Sequence, residues 1–265
     1  MAVKNISRSG RRIRKYKYLF LELGKKIQGS FFVKSFAIRF PKAYRFLWAR
    51  FSLYKFSGLP LTFLVFTALS NFLVFNTIAD IIVLSSGIVS LDTSISQYFF
   101  DLRTKAVAIP IFYFSKIGSL PFVLGIGSVT IIILFFLKKY VYILALLVSL
   151  SGTALTIYFS KPHYQRVRPE VFMYYDAASF SFPSGHSIIA VAFYGLLSYF
   201  LIRNIKQHHG YSIVGAFIFI NFIGFTRIYL GVHYFTDVIA GFAIGAMWLM
   251  LAISIVEWEN TKGVE

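Results

Sequence analysis

Stretches of roughly twenty apolar residues with few charges recur along this chain, and no other feature constrains its fold as strongly. A segment of that length suits a helix crossing the hydrocarbon core of a bilayer, where each backbone N–H and C=O must be satisfied within the segment itself. Such stretches lie at Pro60–Leu84, Leu120–Leu137, Val141–Phe159, Ser187–Leu201, Ile213–Phe225 and Val238–Val256; the fourth and fifth need another turn at each end. Hydrophobic residues make up 57% of the chain and charged residues 14%, against about 25% charged in soluble domains. The expectation is an all-α, polytopic membrane protein. A six-transmembrane-helix bundle would occupy residues 59–265, and residues 1–58 would form a separate basic segment.

Charge placement orients the bundle. The net charge is +17, and residues 1–58 carry fifteen Lys and Arg against Glu22 alone. Met1–Lys17 reads as a disordered basic tail. Tyr18–Phe56 interleaves Phe31, Phe32, Phe36, Phe40, Phe46, Trp48 and Phe51 with Lys34, Arg39, Arg45 and Arg50. That pattern predicts basic amphipathic helices in the cytoplasmic interface, broken near Pro41 and attracted to anionic membrane lipids. A nucleic-acid-binding arm is the weaker reading, because the segment runs straight into a bilayer span. Cations ahead of a first span hold it inside. With no cleavable signal in Met1–Lys17, the first span is expected to be an uncleaved anchor. Lys138-Lys139 and the Arg203–His209 connector then also fall inside. Six spans leave both termini cytoplasmic and put Lys161–Ser184 and Thr226–Asp237 on the outer side of the cell membrane. The chain has no cysteine, which excludes disulfides, thiolate metal sites and cysteine nucleophiles.

Polar residues that a membrane chain would otherwise avoid concentrate in these two outer stretches. Phe182-Pro183-Ser184-Gly185-His186-Ser187 is a turn followed by a long apolar run. It predicts a buried helix with Ser184 near the N-cap and His186 in the first turn, beside backbone N–H groups that suit an anion. Gly185 permits close backbone approach. Upstream lies Lys161-Pro162-His163-Tyr164-Gln165-Arg166-Val167-Arg168-Pro169, and downstream Thr226-Arg227-Ile228-Tyr229-Leu230-Gly231-Val232-His233-Tyr234-Phe235-Thr236-Asp237. Lys161, Arg168 and Arg227 are fixed cations. The i,i+4 spacing of His233 and Asp237 would put them on one helix face. His163 and Arg166, within the first of these stretches, are expected at the headgroups and not in catalysis. The loop Ser85–Ser119 is expected outside, with a short interfacial helix at Leu91–Phe100 that Asp92 caps at its own start.

These three stretches resemble the type 2 phosphatidic acid phosphatase superfamily of integral-membrane lipid phosphatases. Its signature is Lys-x6-Arg-Pro, then Pro-Ser-Gly-His, then Ser-Arg-x5-His-x3-Asp. This chain departs only at Thr226, which keeps the hydroxyl. The resemblance implies that Lys161, Arg168, Ser184, Gly185 and Arg227 bind phosphate, and that His233 attacks phosphorus to give a phosphohistidine. Asp237 would orient His233, and His186 would protonate the leaving oxygen and then activate water. It implies no metal and no cofactor, and a lipid phosphate or diphosphate as substrate. The alternatives are a lipid phosphotransferase using the same intermediate, and a non-catalytic lipid transporter or scaffold on the same bundle.

Overall fold

The computed structural model describes residues 30–41, single positions at 44, 62, 66 and 77, and residues 79–83, 85–204 and 209–262. The chain divides into two units, Met1–Leu59 and Pro60–Glu265. In the first, helix α1 spans Phe31–Arg39 and leaves Ile38 exposed, with Lys34 and Arg39 also outward. The basic tail, the remainder of the amphipathic segment and most of the expected span at Pro60–Leu84 lie outside the described residues.

In the second unit the described elements are all helical. They are α2 (Ser86–Asp101), α3 (Lys105–Ser115), α4 (Leu120–Phe136) and α5 (Tyr140–Tyr164). They continue with α6 (Gly185–Asn204), α7 (His209–Tyr229) and α8 (Phe235–Lys262). Helices α5 to α8 are each long and apolar enough to cross a membrane. A fifth crossing is formed if α3 and α4, bent by 48° at Gly118–Leu120, count as one. The fourth and fifth spans carry the extra turns at their ends that the sequence called for, giving 20 residues for α6 and 21 for α7. One expectation changes: the stretch 85–119 is not a loop with one short helix, because α2 and α3 fill most of it. Their half-buried periodicity, with Asp92, Ser96, Ala108 and Ile111 turned inward, belongs to packed helices.

Small residues let the helices that carry the sequence motifs approach closely, as in other membrane bundles. A Cβ on Gly241 of α8 would stand 2.8 Å from the Ser184 carbonyl oxygen, and one on Gly245 2.6 Å from that of Ile188. Gly241 and Gly245 are one turn apart, so this pair seats the start of α6 directly on α8. Further along α8, Trp248 lies over Gly152 of α5 and donates to Thr156 Oγ1 at 3.0 Å. The core between these helices is built from Leu146, Phe193, Leu196, Ile223 and Val256. At the end of the bundle away from those motifs, Lys139 Nζ donates to Asn204 Oδ1 at 2.5 Å and Arg203 pairs with Glu257 at 2.5 Å.

The link between α7 and α8 explains the spacing of its motif. Gly231 has φ +64° and ends α7 in the left-handed region. Its N–H bonds to the Ile228 carbonyl, and the Val232 N–H to that of Arg227 at 3.2 Å, the paired bonds of a glycine-terminated helix. The His233 N–H reaches the same Arg227 carbonyl at 3.3 Å. The five residues between Arg227 and His233 are therefore one helix-ending turn, and it fixes the histidine backbone to the arginine backbone. A Cβ at Gly231 would also collide with the Phe172 carbonyl oxygen at 2.1 Å, an oxygen that Arg103 Nη2 holds at 2.6 Å. Gly231→Ala should lower stability by more than the ~1–2 kcal/mol of a left-handed alanine alone. A clear fall in thermal midpoint in detergent is expected, with little change for Gly210→Ala, where nothing lies within 4 Å of the added atom.

Candidate active site

The predicted site residues come from the facing ends of four helices. Lys161 is in the last turn of α5, Arg227 in the last turn of α7, Gly185 and His186 in the first turn of α6, and Asp237 in the first turn of α8. The structure brings these ends together. Lys161 Nζ donates to Ser179 Oγ and to the Phe180 carbonyl, both at 2.8 Å, and Arg168 Nε donates to the Ser179 carbonyl at 2.5 Å. The two cations therefore share one loop. Arg168 Nη1 also bonds the Val232 carbonyl and stands 3.3 Å from His233 Nε2.

That last contact assigns the histidine tautomer. A guanidinium can only donate, so Nε2 is the lone-pair nitrogen and Nδ1 carries the proton. Nδ1 faces Asp237 Oδ2 at 3.5 Å and Ser181 Oγ at 3.5 Å. His233 is 2% exposed. Burial, then the charges of Arg168, Arg227 and Lys161, hold its pKa well below the ordinary 6.5, with a hydrogen bond to the Ser181 backbone acting weakly the other way. Both effects disfavour imidazolium, so the ring is neutral with its free electron pair turned toward the cations. Arg168 itself is lowered from the usual arginine range by burial and by Arg227.

Arg227 is the most telling cation. It is 3% exposed, and Nη2 donates to the Tyr175 hydroxyl at 2.7 Å. Nε and Nη1 are buried with no hydrogen-bond partner among the described residues. Unsatisfied buried donors on a charged group are costly, and hydrogen bonds to an anion's oxygens would satisfy them. The cations Arg227, Lys161 and Arg168 all lie close enough to act on His186, whose ring packs against Gly118.

Ser184 is the N-cap of α6, though its hydroxyl makes no capping bond; it accepts from Ser187 Oγ at 2.9 Å. The capping bonds come from its carbonyl, which takes the Ser187 and Ile188 N–H groups at 3.1 Å. The amides of Gly185 and His186 precede them, in the turn where a helix has no internal acceptors. The Ser184 N–H bonds the Asp237 carbonyl at 3.1 Å, tying the two helix starts together.

Three sequence expectations need correction. His233 and Asp237 do not share a helix face: His233 lies in the turn before α8, and the chain folds back so that Asp237 approaches it. Asp92 does not cap α2, which starts at Ser86. It is fully buried and caps α8 instead, accepting the Thr236 N–H on Oδ1 at 3.0 Å and the Thr236 hydroxyl on Oδ2. Arg166 is not at the surface. It is 7% exposed, with Nη1 2.6 Å from Asp237 Oδ1 and Nη2 2.7 Å from Asp92 Oδ2. His163, by contrast, is exposed, as are Glu170 and Asp176.

A signal for Arg166 was present. The residue before a proline is pushed to extended backbone, and Arg168 precedes Pro169. Extended residues alternate sides, so Arg166 and Arg168 point together while Val167, 64% exposed, points away. Ser181 and Tyr175 were also missed. Ser181 Oγ donates to Asp237 Oδ2, and that oxygen also accepts the Tyr234 N–H at 3.0 Å; nothing in their neighbours distinguishes these two from other loop hydroxyls. Among the described residues, no cluster of three or more His, Cys, Asp or Glu could hold a metal ion.

Known proteins resemble this chain over the motif-bearing region. Phosphatidylglycerophosphatase B of Bacillus subtilis (strain 168) is 38% identical over 90 residues, which are 33% of this chain and 44% of that protein. Lipid A 1-phosphatase of Rhizobium johnstonii is 36% identical over 101 residues, 34% of this chain and 38% of that one. The chain thus spans under half the length of these curated relatives. A crystal structure of a transmembrane PAP2-type phosphatidylglycerolphosphate phosphatase from Bacillus subtilis superposes with a TM-score of 0.67 at 27% identity, covering 76% of this chain and 98% of that one. The PAP2 superfamily model matches residues 122–261, from α4 to the end of α8 and through all three motifs, and the chain belongs to that superfamily.

Proposed function

We propose that this protein is a membrane enzyme that hydrolyses the phosphate or diphosphate group of a lipid through a phosphohistidine, without a metal ion, on the outer face of the cell membrane. The observation that carries the reading is that two buried Arg227 donors have no partner among the described residues, while the lone-pair nitrogen of His233 faces a second cation, Arg168. Together with Lys161 the two arginines make a cation cage for a tetrahedral anion. Preformed donors of this kind are the main means of stabilising charge that spreads over phosphoryl oxygens.

The chemistry follows from the tautomer. Nε2 of neutral His233 attacks phosphorus; the N–P bond forms as the bond to the lipid oxygen breaks. The leaving oxygen takes a proton from His186, and the lipid alcohol departs. The substrate's own negative charge offsets the cations around His186 and lets it hold that proton on binding. The phosphoimidazole of His233 is now cationic, and Asp237 stands beside its Nδ1–H. Neutral His186 then takes a proton from water, the water oxygen attacks phosphorus, and the N–P bond breaks to release inorganic phosphate.

Several observations support a lipid substrate and an outer site. The cage lies at the ends of apolar helices, where a headgroup sits while its chains remain in the bilayer. Relatives named for phosphatidylglycerophosphate and lipid A hydrolysis act on that chemical class. Lys139 and Arg203 lie at the opposite end of the bundle from the cage, the end that the positive-inside rule holds in the cytoplasm. The basic segment 1–58, with Lys34 and Arg39 on α1, suits the anionic inner leaflet.

Purified protein in detergent should release phosphate from phosphatidic acid, phosphatidylglycerol phosphate, a polyprenyl diphosphate or lipid A, at the same rate with EDTA as with Mg²⁺. His233→Ala should lower turnover by about a thousandfold or more; an active variant would remove the nucleophile assignment. A second expectation concerns protonation. In ¹⁵N NMR of histidine-labelled protein, His233 should remain a neutral, Nδ1-protonated ring at pH 6, because burial and three cations hold its pKa well below 6.5. An imidazolium signal for His233 at pH 7 in the substrate-free enzyme would contradict it.

A further inference from the structure

Behind the cage lies a buried ionic chain that the mechanism above does not use. One guanidinium, Arg166, spans two carboxylates: Nη1 to Asp237 Oδ1 at 2.6 Å and Nη2 to Asp92 Oδ2 at 2.7 Å. Side-chain exposure is 6% for Arg166 and zero for both acids. Nη1 also donates to Thr236 Oγ1 at 2.9 Å, and the guanidinium lies over the Tyr234 ring, 4.5 Å from its centroid. These contacts join four elements. Asp92 belongs to α2, Arg166 to the extended segment after α5, Tyr234 to the turn carrying His233, and Thr236 and Asp237 to the start of α8.

We propose that Arg166 and Asp92 are positioning residues for the His233 nucleophile, acting through Asp237. This rests on the phosphohistidine reading above. Asp237 must present one oxygen to Nδ1 while the helix beneath it stays still. Its Oδ2 is set by Ser181 Oγ and by the Tyr234 N–H. Its Oδ1 is held by Arg166 alone among the described residues. A fork gripped at one tine can rotate; gripped at both, it is fixed in its plane. Asp92 supplies the second grip and at the same time binds Thr236 N–H and Oγ1, one residue from Asp237. The carboxylate and the backbone that carries it are thus referred to the same point on α2.

The charges run the same way. Asp92 offsets the Arg166 charge, so that Asp237 keeps part of its negative field for the cationic ring formed on phosphoryl transfer. Burial disfavours the Arg166 charge, but Asp237 and Asp92 outweigh it and raise its pKa above the usual arginine value. Neither Arg166 nor Asp92 contacts Lys161, Arg168 or Arg227 in the hydrogen bonds described, so phosphate capture should not depend on them.

Asp92→Asn keeps the shape and the acceptor for Thr236 but removes the charge. Arg166→Lys keeps a charge but offers a single point where a fork is needed. Each variant should lower kcat by about 10- to 100-fold while KM for the lipid and Ki for inorganic phosphate stay within about twofold of wild type. Rapid acid quench with ³²P-labelled lipid should show the loss in the rate of phosphoenzyme formation. The double variant should lose no more than the worse single one, because Asp92 acts through Arg166. If the wild type is active, His233→Ala is inactive, and Asp92→Asn retains full kcat, the positioning role is overturned and the phosphatase reading stands. A rise in phosphate Ki parallel to the loss of kcat would also overturn it, since that is the mark of a collapsed site. A wild type that releases no phosphate from any of the lipids would instead sink the phosphatase reading, and this role with it.

Discussion

The structure turns on one carboxylate placed where a carboxylate is hard to keep. Asp237 is fully buried, and the desolvation of such a group is worth several kcal/mol, on the order of what a whole domain has to spare. It is retained because both oxygens are saturated by Arg166, Ser181 and the Tyr234 amide. In satisfying it, the chain joins the extended segment after α5, the loop before α6, the turn after α7 and the start of α8. These elements carry Arg168, Ser184, His233 and Asp237 itself. The site is therefore assembled as a by-product of neutralising one buried charge, and the close approach of α6 to α8 at Gly241 and Gly245 completes it.

Two helix ends do the remaining work by opposite means. The end of α7 is closed by Gly231, which lets the Arg227 carbonyl hold the amides of Val232 and His233. That turn carries Arg227 and the proposed nucleophile, His233, on one hydrogen-bonded backbone unit. The start of α6 lacks a side-chain cap, so the Gly185 and His186 amides have no acceptor within the helix. Fixed cations and a neutral imidazole lie where apolar helices end, the place the proposed lipid phosphate would put its headgroup.

Much of this was legible in the sequence, and the parts that were not share a cause. The apolar stretches gave the helices from α4 onward, and the three motifs gave the charged residues at their ends. What could not be read was any contact between segments distant along the chain. Asp92 looked like a cap for its own helix because local rules reward that reading; tertiary packing gave it to α8, 144 residues away. Arg166 looked peripheral because its motif does not require an arginine there, although the extended Arg-Val-Arg-Pro pattern places it beside Arg168. The i,i+4 spacing of His233 and Asp237 led to the right proximity by the wrong geometry, since only Asp237 is helical. Helices α2 and α3 were read as an outer loop because their apolar content is broken by serines and charges. Those polar residues turn out to include the inward-facing Asp92 and Ser96.

The central claim is that the separated motifs form one cage in which His233 Nε2 faces a tetrahedral anion held by Lys161, Arg168 and Arg227. A crystal or electron cryomicroscopy structure with vanadate bound tests it most directly. The account predicts vanadium bonded to His233 Nε2, with the Arg227 guanidinium donating to its oxygens and His186 on the side opposite Nε2. Vanadate bound elsewhere, or held in the cage through His186 with His233 Nε2 turned away, would contradict it.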